Sequence, residues 1–212
     1  MKPLFHLYPD FLGMELNQKL YRLAITKNER YSQSRTSRSK FYPEWRKSKV
    51  IYHDQFIEFQ ELMKDRLSGR FEEICEHLKI TPFEIDHFEV QLTSHNDGEY
   101  FKWHRDNSTV DTASRTITFV YYFHAQPKNY SGGELIIYDS EKEHVITPEN
   151  DTMVVFYSGR KHEVREVKCA SGRFEDGRFT LNGWIRAQTA RRVNHRYFGY
   201  NMFVPRAAGA GL

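Results

Sequence analysis

The chain has 212 residues, of which 39% are hydrophobic, 28% charged and 15% aromatic. That is enough apolar mass for a folded domain with a sizeable core, and it excludes a collagen, a coiled coil or a wholly disordered chain. The formal net charge of +3 is too small an excess to require a nucleic-acid partner.

The N-terminal MKPLFHLYPDF lacks the apolar run and small-residue cleavage site of a signal peptide. No stretch approaches the roughly 20 apolar residues of a membrane-spanning helix, so no membrane partner is expected. Cys75 and Cys169 form no CxxC pair. A disulfide framework or a Cys-ligated zinc site is therefore excluded, and a cytoplasmic location is expected.

The first half reads as helical. Phe11, Leu12, Met14, Leu16, Leu20, Leu23 and Ala24 recur every three to four residues, the rhythm of an amphipathic helix. Phe56, Phe59, Leu62, Met63, Leu67, Phe71, Ile74, Cys75 and Leu78 repeat it, and Gly69 divides that stretch into two helices. Between them, YSQSRTSRSKFYPEWRKSK (31–49) is polar, basic and poor in apolar residues. It reads as a long loop or hairpin with little burial, either solvated or a lid over substrate.

From residue 85 the period changes to two. Phe88, Val90 and Leu92 alternate with Glu89, Gln91 and Thr93. Further strands are expected at RTITFVYYF (115–123), GELIIYD (133–139), HVIT (144–147), TMVVFYS (152–158), HEVREV (162–167) and RFTLNGWIR (178–186), all rich in β-branched and aromatic residues. Turn-like breaks separate them. Helices followed by short strands predict an α+β domain, with helices packed outside a β-sandwich or barrel. The organisation expected is residues 1–84 as helices and basic loop of the same domain, 85–189 as the β core, and 190–212 as an extension or tail.

Within the β core, His104-Arg105-Asp106 places a His and an Asp two residues apart, on one face of a strand. Such a pair can bind one metal ion. With a distant His it forms a facial triad that leaves three positions open, the arrangement non-haem Fe(II) oxygenases use. The pattern alone is weak, because ten histidines supply such pairs by chance and a second copy stands at His95-Asn96-Asp97. The second copy runs into Gly98, a turn signal, whereas Tyr100–Trp103 can form a strand leading into the first. His162, after an apolar strand and a Ser-Gly turn, can deliver the third ligand. HEVREV is not HExxH, which excludes the helical zinc-protease pattern. Arg178, read as lying within the strand RFTLNGWIR, is costly to bury unless an anion meets it.

Together, HxD at 104–106, YSGGEL (130–135), FYSGRKHEV (156–164) and RFTLNGWIR resemble, in this order, the Fe(II)/2-oxoglutarate-dependent dioxygenases, and among them the prolyl 4-hydroxylase-like branch. SRTSRS (34–39) is similar to the Arg-Thr-Ser stretch of that branch's substrate-covering loop. The resemblance implies a double-stranded β-helix, or jelly roll, buttressed by the N-terminal helices. It implies Fe(II) held by His104, Asp106 and His162, and 2-oxoglutarate and O2 as cosubstrates, with ascorbate as reductant. It implies Arg178 and Tyr122 on the distal carboxylate of 2-oxoglutarate, with Thr180 or Asn182 assisting and Trp184 nearby. A Tyr that the family often carries before Gly98 is replaced here by Thr93-Ser94-His95.

The activity so implied is hydroxylation of a substrate carbon, with prolyl residues of a peptide or protein as the expected target. A free amino acid or small natural product, and a jelly-roll metal binder without turnover, are the alternatives. The demethylase branch that acts on nucleic acid carries a second Arg where this chain has Trp184, so a nucleic-acid partner is not expected.

Overall fold

In the computed structural model, the described residues are 3–35, 42–52, 55–140 and 142–188. Residues 36–41 of the expected lid, among them Arg38, Lys40 and Phe41, lie outside them, as does the expected tail at 190–212.

Among the described residues, fourteen strands and three α-helices are arranged as two antiparallel sheets, a short ribbon and a helical layer. The strands are β1 (Phe5–Tyr8), β2 (Ser32–Gln33), β3 (Arg46–Lys47), β4 (Lys49–Tyr52), β5 (Ile85–His95), β6 (Tyr100–His104), β7 (Arg115–Phe123), β8 (Ser131–Gly132), β9 (Leu135–Asp139), β10 (Lys142–Ile146), β11 (Thr152–Tyr157), β12 (His162–Val164), β13 (Val167–Lys168) and β14 (Arg178–Ala187). The seven-stranded sheet runs β1-β11-β7-β14-β5-β4-β2, and the five-stranded sheet runs β10-β9-β12-β6-β3. Strands β13 and β8 form the ribbon.

The period-two pattern of the large sheet divides two environments. On β14, Phe179, Leu181 and Ile185 point to one side; on β7, Ile117, Phe119, Tyr121 and Phe123 do the same. These residues meet the buried faces of α1 (Met14–Thr26), α2 (Ile57–Gly69) and α3 (Phe71–Leu78), among them Leu20, Met63, Leu67 and Ile74. The opposite face carries Arg178, Thr180, Asn182 and Trp184 on β14, Thr118 and Tyr122 on β7, and Thr93 and His95 on β5. That face turns toward the small sheet. Part of the space between the sheets is apolar, filled by Leu135, Ile137, Ile146, Val154 and Phe156; the rest is a polar cavity.

Gly69 does end α2, as the pattern predicted. Helix α1 starts later than its apolar periodicity suggests. Phe11 and Leu12 are buried but precede it, and Met14 is 75% exposed. The entry is set from far along the chain: Asp151 accepts the Leu12 and Gly13 backbone N–H groups at 2.9 Å each, supplying acceptors that the helix start lacks. HEVREV is not one strand: β12 stops at Val164 and β13 begins at Val167 in a different sheet. Strands β1 and β4 were not legible among the helix signals, because each is only four residues long and sits at or near the edge of the large sheet.

Candidate active site

The cavity between the sheets is about 60 Å³ and opens to an outer groove of about 610 Å³. His104, Asp106 and His162 meet there, their ligand atoms all within 4.8 Å of one another; among the described residues this is the one His/Cys/Asp/Glu group able to hold a metal ion. Strand pairing brings them together. His162 of β12 stands directly across from His104, the last residue of β6. Asp106 follows in the turn, where its N–H donates to Ser158 O at 3.0 Å.

The hydrogen bonds orient the ligand atoms. His104 Nδ1 lies 2.9 Å from Lys102 O, and His162 Nδ1 lies 2.9 Å from Arg160 O. A carbonyl only accepts, so each Nδ1 carries a proton, and in its neutral form each ring presents its Nε2 lone pair. Both Nε2 atoms face Asp106, at 3.4 Å from Oδ1 and from Oδ2 respectively. Burial lowers the His162 pKa to about 4, so this imidazole is neutral at neutral pH. Burial opposes ionisation of Asp106, but in the acid range, where the two rings carry protons, His162 and His104 outweigh it and hold the carboxyl well below the usual range. Thr118 donates to Asp106 Oδ2 at 2.7 Å. Two lone pairs converging on a carboxylate form a donor set that fits a divalent transition metal.

Deeper in, Arg178 opens β14 rather than lying within it, and is 2% exposed. Its Nε donates to Gly133 O at 2.9 Å. Gly133 has φ +70°, and a Cβ there would lie 2.7 Å from Arg178 Cδ. The Gly-Gly pair of YSGGEL therefore makes the turn and leaves space for this arginine. Among the described residues no carboxylate pairs with Arg178. Around it are buried donors without protein partners: Tyr122 OH, Tyr130 OH and His95 Nε2. Burial pushes the Tyr122 phenol up to about 12 against the opposing effect of Arg178. A buried guanidinium with orphan hydroxyls beside it favours an anion, and these groups fit the dicarboxylate that the resemblance implies.

Thr180 and Asn182 also line the cavity. Asn182 Oδ1 accepts from Thr93 Oγ1 at 2.7 Å and from Thr180 Oγ1 at 3.2 Å. Trp184 is buried beneath the Arg115 guanidinium, which lies 3.5 Å from its ring centroid.

The sequence did not mark Tyr130 or His95 as site residues. Tyr130 sits inside YSGGEL and is buried with Val167 and Cys169, near enough to Arg178 to feel its charge. His95 was visible only as the weaker HxD copy. Register places it opposite Arg178, whose Nη1 lies 3.4 Å from His95 Nδ1. A guanidinium only donates, so Nδ1 is the acceptor and Nε2 bears the proton.

Residues 90–186 match the profile of the 2OG-Fe(II) oxygenase superfamily. An uncharacterized PKHD-type hydroxylase of Synechocystis is 41% identical over 187 residues, which cover 84% of this chain and 61% of that protein; the chain thus spans about three-fifths of its relative's length. Among solved structures, a Trichoplax adhaerens prolyl hydroxylase, in complex with a hypoxia inducible factor peptide fragment, superposes with a TM-score of 0.67 at 19% identity, covering 86% of this chain and 83% of that one. A Pseudomonas putida prolyl-4-hydroxylase superposes with a TM-score of 0.65 at 22% identity, covering 87% and 92%. The HxD pair, the distal His and the Arg all fall within the matched residues 90–186, so over its β core the chain is similar to the 2OG-Fe(II) oxygenase superfamily and shares the jelly-roll fold of these structures.

Proposed function

We propose that the protein is an Fe(II)- and 2-oxoglutarate-dependent dioxygenase that hydroxylates a substrate carbon, with a prolyl residue of a peptide or protein as the target. The observation that carries this reading is the meeting, in one cavity, of a converging His-Asp-His set and an uncompensated buried arginine. His104, Asp106 and His162 would hold the iron. Arg178 would grip the distal carboxylate of 2-oxoglutarate in a bidentate pair, with Tyr122, Tyr130 and His95 donating to the cosubstrate and Thr180 and Asn182 shaping its wall. Bound there, iron with 2-oxoglutarate and O2 supplies the oxidising chemistry, ending in succinate, CO2 and a hydroxylated substrate, with ascorbate as the reductant that keeps iron ferrous.

The chain's own part is to bind and orient. Backbone carbonyls lock both imidazole tautomers, Thr118 holds the carboxylate of Asp106, and Gly133 O with His95 fixes the guanidinium. The two β-sheets shield the site from water on their apolar side. The prolyl target is supported by the likeness in fold to prolyl hydroxylases and by the aromatic residues Trp45, Phe101 and Trp184 at the groove, since aromatic surfaces suit proline-containing segments.

The test is incubation of the iron-loaded protein with 2-oxoglutarate, ascorbate and a library of proline peptides. The expected result is succinate formed together with a gain of about 16 Da, one oxygen atom, on peptide. Succinate no faster than free Fe(II) produces would sink the enzymatic reading. Oxygen gained by a metabolite and by no peptide would sink the prolyl one.

A further inference from the structure

The outer groove is rich in arginine, and its cations are not equivalent. Five arginines line it against three carboxylates, and one of those, Asp106, belongs to the proposed iron site. Arg115 and Arg186 are both bound to Glu89. Arg105 donates to Gly159 O. Arg46 differs. It comes from β3, where it pairs with Phe101 of β6, and it lines both the inner cavity and the outer groove.

Its guanidinium lies 4.5 Å from the Phe101 ring centroid, and that ring stacks on His104 at 3.6 Å and 17°. Arg46 is therefore separated from a proposed iron ligand by a single aromatic ring. Its Nε donates to Ser48 Oγ at 2.9 Å, and Ser48 in turn donates to Ser34 Oγ at 2.7 Å. Both serines are buried, so the orientation of the fork is set from below. Among the described residues no carboxylate lies within ion-pair distance of it. Burial pulls its pKa down to about 10, leaving it charged at neutral pH. A planar fork held in place by stacking and by one nitrogen, with no hydrogen bond from its terminal nitrogens among the described residues, is arranged for a planar anion.

We propose that Arg46 anchors an anion subsite at the cavity mouth, and that the substrate presents a carboxylate close to the carbon that reacts. This rests on the oxygenase reading above and adds to it the chemical class of the substrate. The carboxylate can belong to an acidic residue beside the target in a polypeptide or to a small acid.

The test is calorimetry under argon on protein saturated with Fe(II) and 2-oxoglutarate. The probes are benzoate and its neutral isostere benzamide. Benzoate should bind at least about tenfold tighter, as a charge-assisted pair requires. Arg46→Gln should abolish that preference and Arg46→Lys should retain part of it, while 2-oxoglutarate affinity stays within about twofold in both. Acetyl-Pro-Asp-amide, acetyl-Pro-Asn-amide and free proline then compete for the benzoate site. Displacement by the Asp peptide alone among the three assigns a polypeptide source; displacement by free proline alone assigns a small acid. Displacement by none of them, equal binding of benzoate and benzamide, or a preference that survives Arg46→Gln would overturn the proposal. So would loss of 2-oxoglutarate affinity in Arg46→Gln, which would move Arg46 into the cosubstrate pocket. Wild-type protein that fails to bind 2-oxoglutarate would instead defeat the oxygenase reading, and benzoate preference is scored separately on the iron-loaded protein.

Discussion

The chain carries the His-x-Asp pattern twice within twelve residues, and the fold uses the two copies differently. His104 and Asp106 sit at the end of β6, where the neighbouring strand brings His162 into register. His95 and Asp97 sit at the end of β5, where the neighbouring strand brings Arg178. At the first copy both side chains turn into the cavity. At the second they part: His95 is buried beside Arg178, whereas Asp97 turns outward and accepts the Cys169 backbone N–H at 2.8 Å. The same three-residue spacing thus becomes a metal-competent pair or a cavity residue plus a turn clasp. What decides is the residue on the facing strand, which no local pattern contains.

The largest effect should separate the copies outright. His104→Ala, Asp106→Asn or His162→Ala is expected to abolish iron binding and turnover while the fold survives. The loss should exceed the roughly 10- to 100-fold typical of losing an outer partner of a metal site. His95→Ala should keep its iron. Iron titration monitored by calorimetry checks this; iron lost on His95→Ala and kept on His104→Ala would reverse the comparison.

Next comes the residue facing the second copy. Arg178→Ala should weaken 2-oxoglutarate binding by about 2–5 kcal/mol, on the order of 30- to 5000-fold, because a buried carboxylate loses its partner. Arg178→Lys should fall between, since a point charge replaces a fork. Unchanged cosubstrate affinity in Arg178→Ala would remove it from the pocket. A smaller loss is expected for His95→Leu, about tenfold, or roughly 1.5 kcal/mol for one hydrogen bond to a charged group. Its iron affinity should not change.

Asp97→Ala tests the clasp. It should lower stability by about 1 kcal/mol, the net worth of one hydrogen bond, and leave both iron and cosubstrate binding intact. A thermal or urea melt alongside the iron titration separates these outcomes.

The smallest effect concerns pH. His95 is held well below its ordinary 6.5, first by burial and then by Arg178 and Arg46. The unfolded chain takes up a proton near pH 6.5 that the folded protein refuses, so this group's contribution is full above that pH and is lost progressively as pH falls. His95→Gln should flatten the decline of the urea midpoint between about pH 7 and pH 5. A slope identical to wild type would place His95 in water rather than beside Arg178.

Much of this molecule was legible in its amino-acid order. From residue 85, alternation announced β5, and runs rich in β-branched and aromatic residues announced β7, β11 and β14, because a strand buried on both faces needs apolar or small polar residues at nearly every position. Gly69 marked the break between α2 and α3, and the HxD pair, the distal His and the Arg in RFTLNGWIR named the candidate site. Tertiary structure alone decided the rest. Short strands such as β1 and β4 owe their shape to pairing with a sheet that already exists, and α1 begins where Asp151, from a distant turn, supplies acceptors. His95 and Arg46 reach the cavity, and Tyr130 comes near Arg178, through register and turn geometry. Their own neighbours in sequence describe only an ordinary strand end, an ordinary turn and a basic loop. Local pattern records what a residue's backbone can do, whereas the partner of a buried donor is chosen by chain segments tens of residues away.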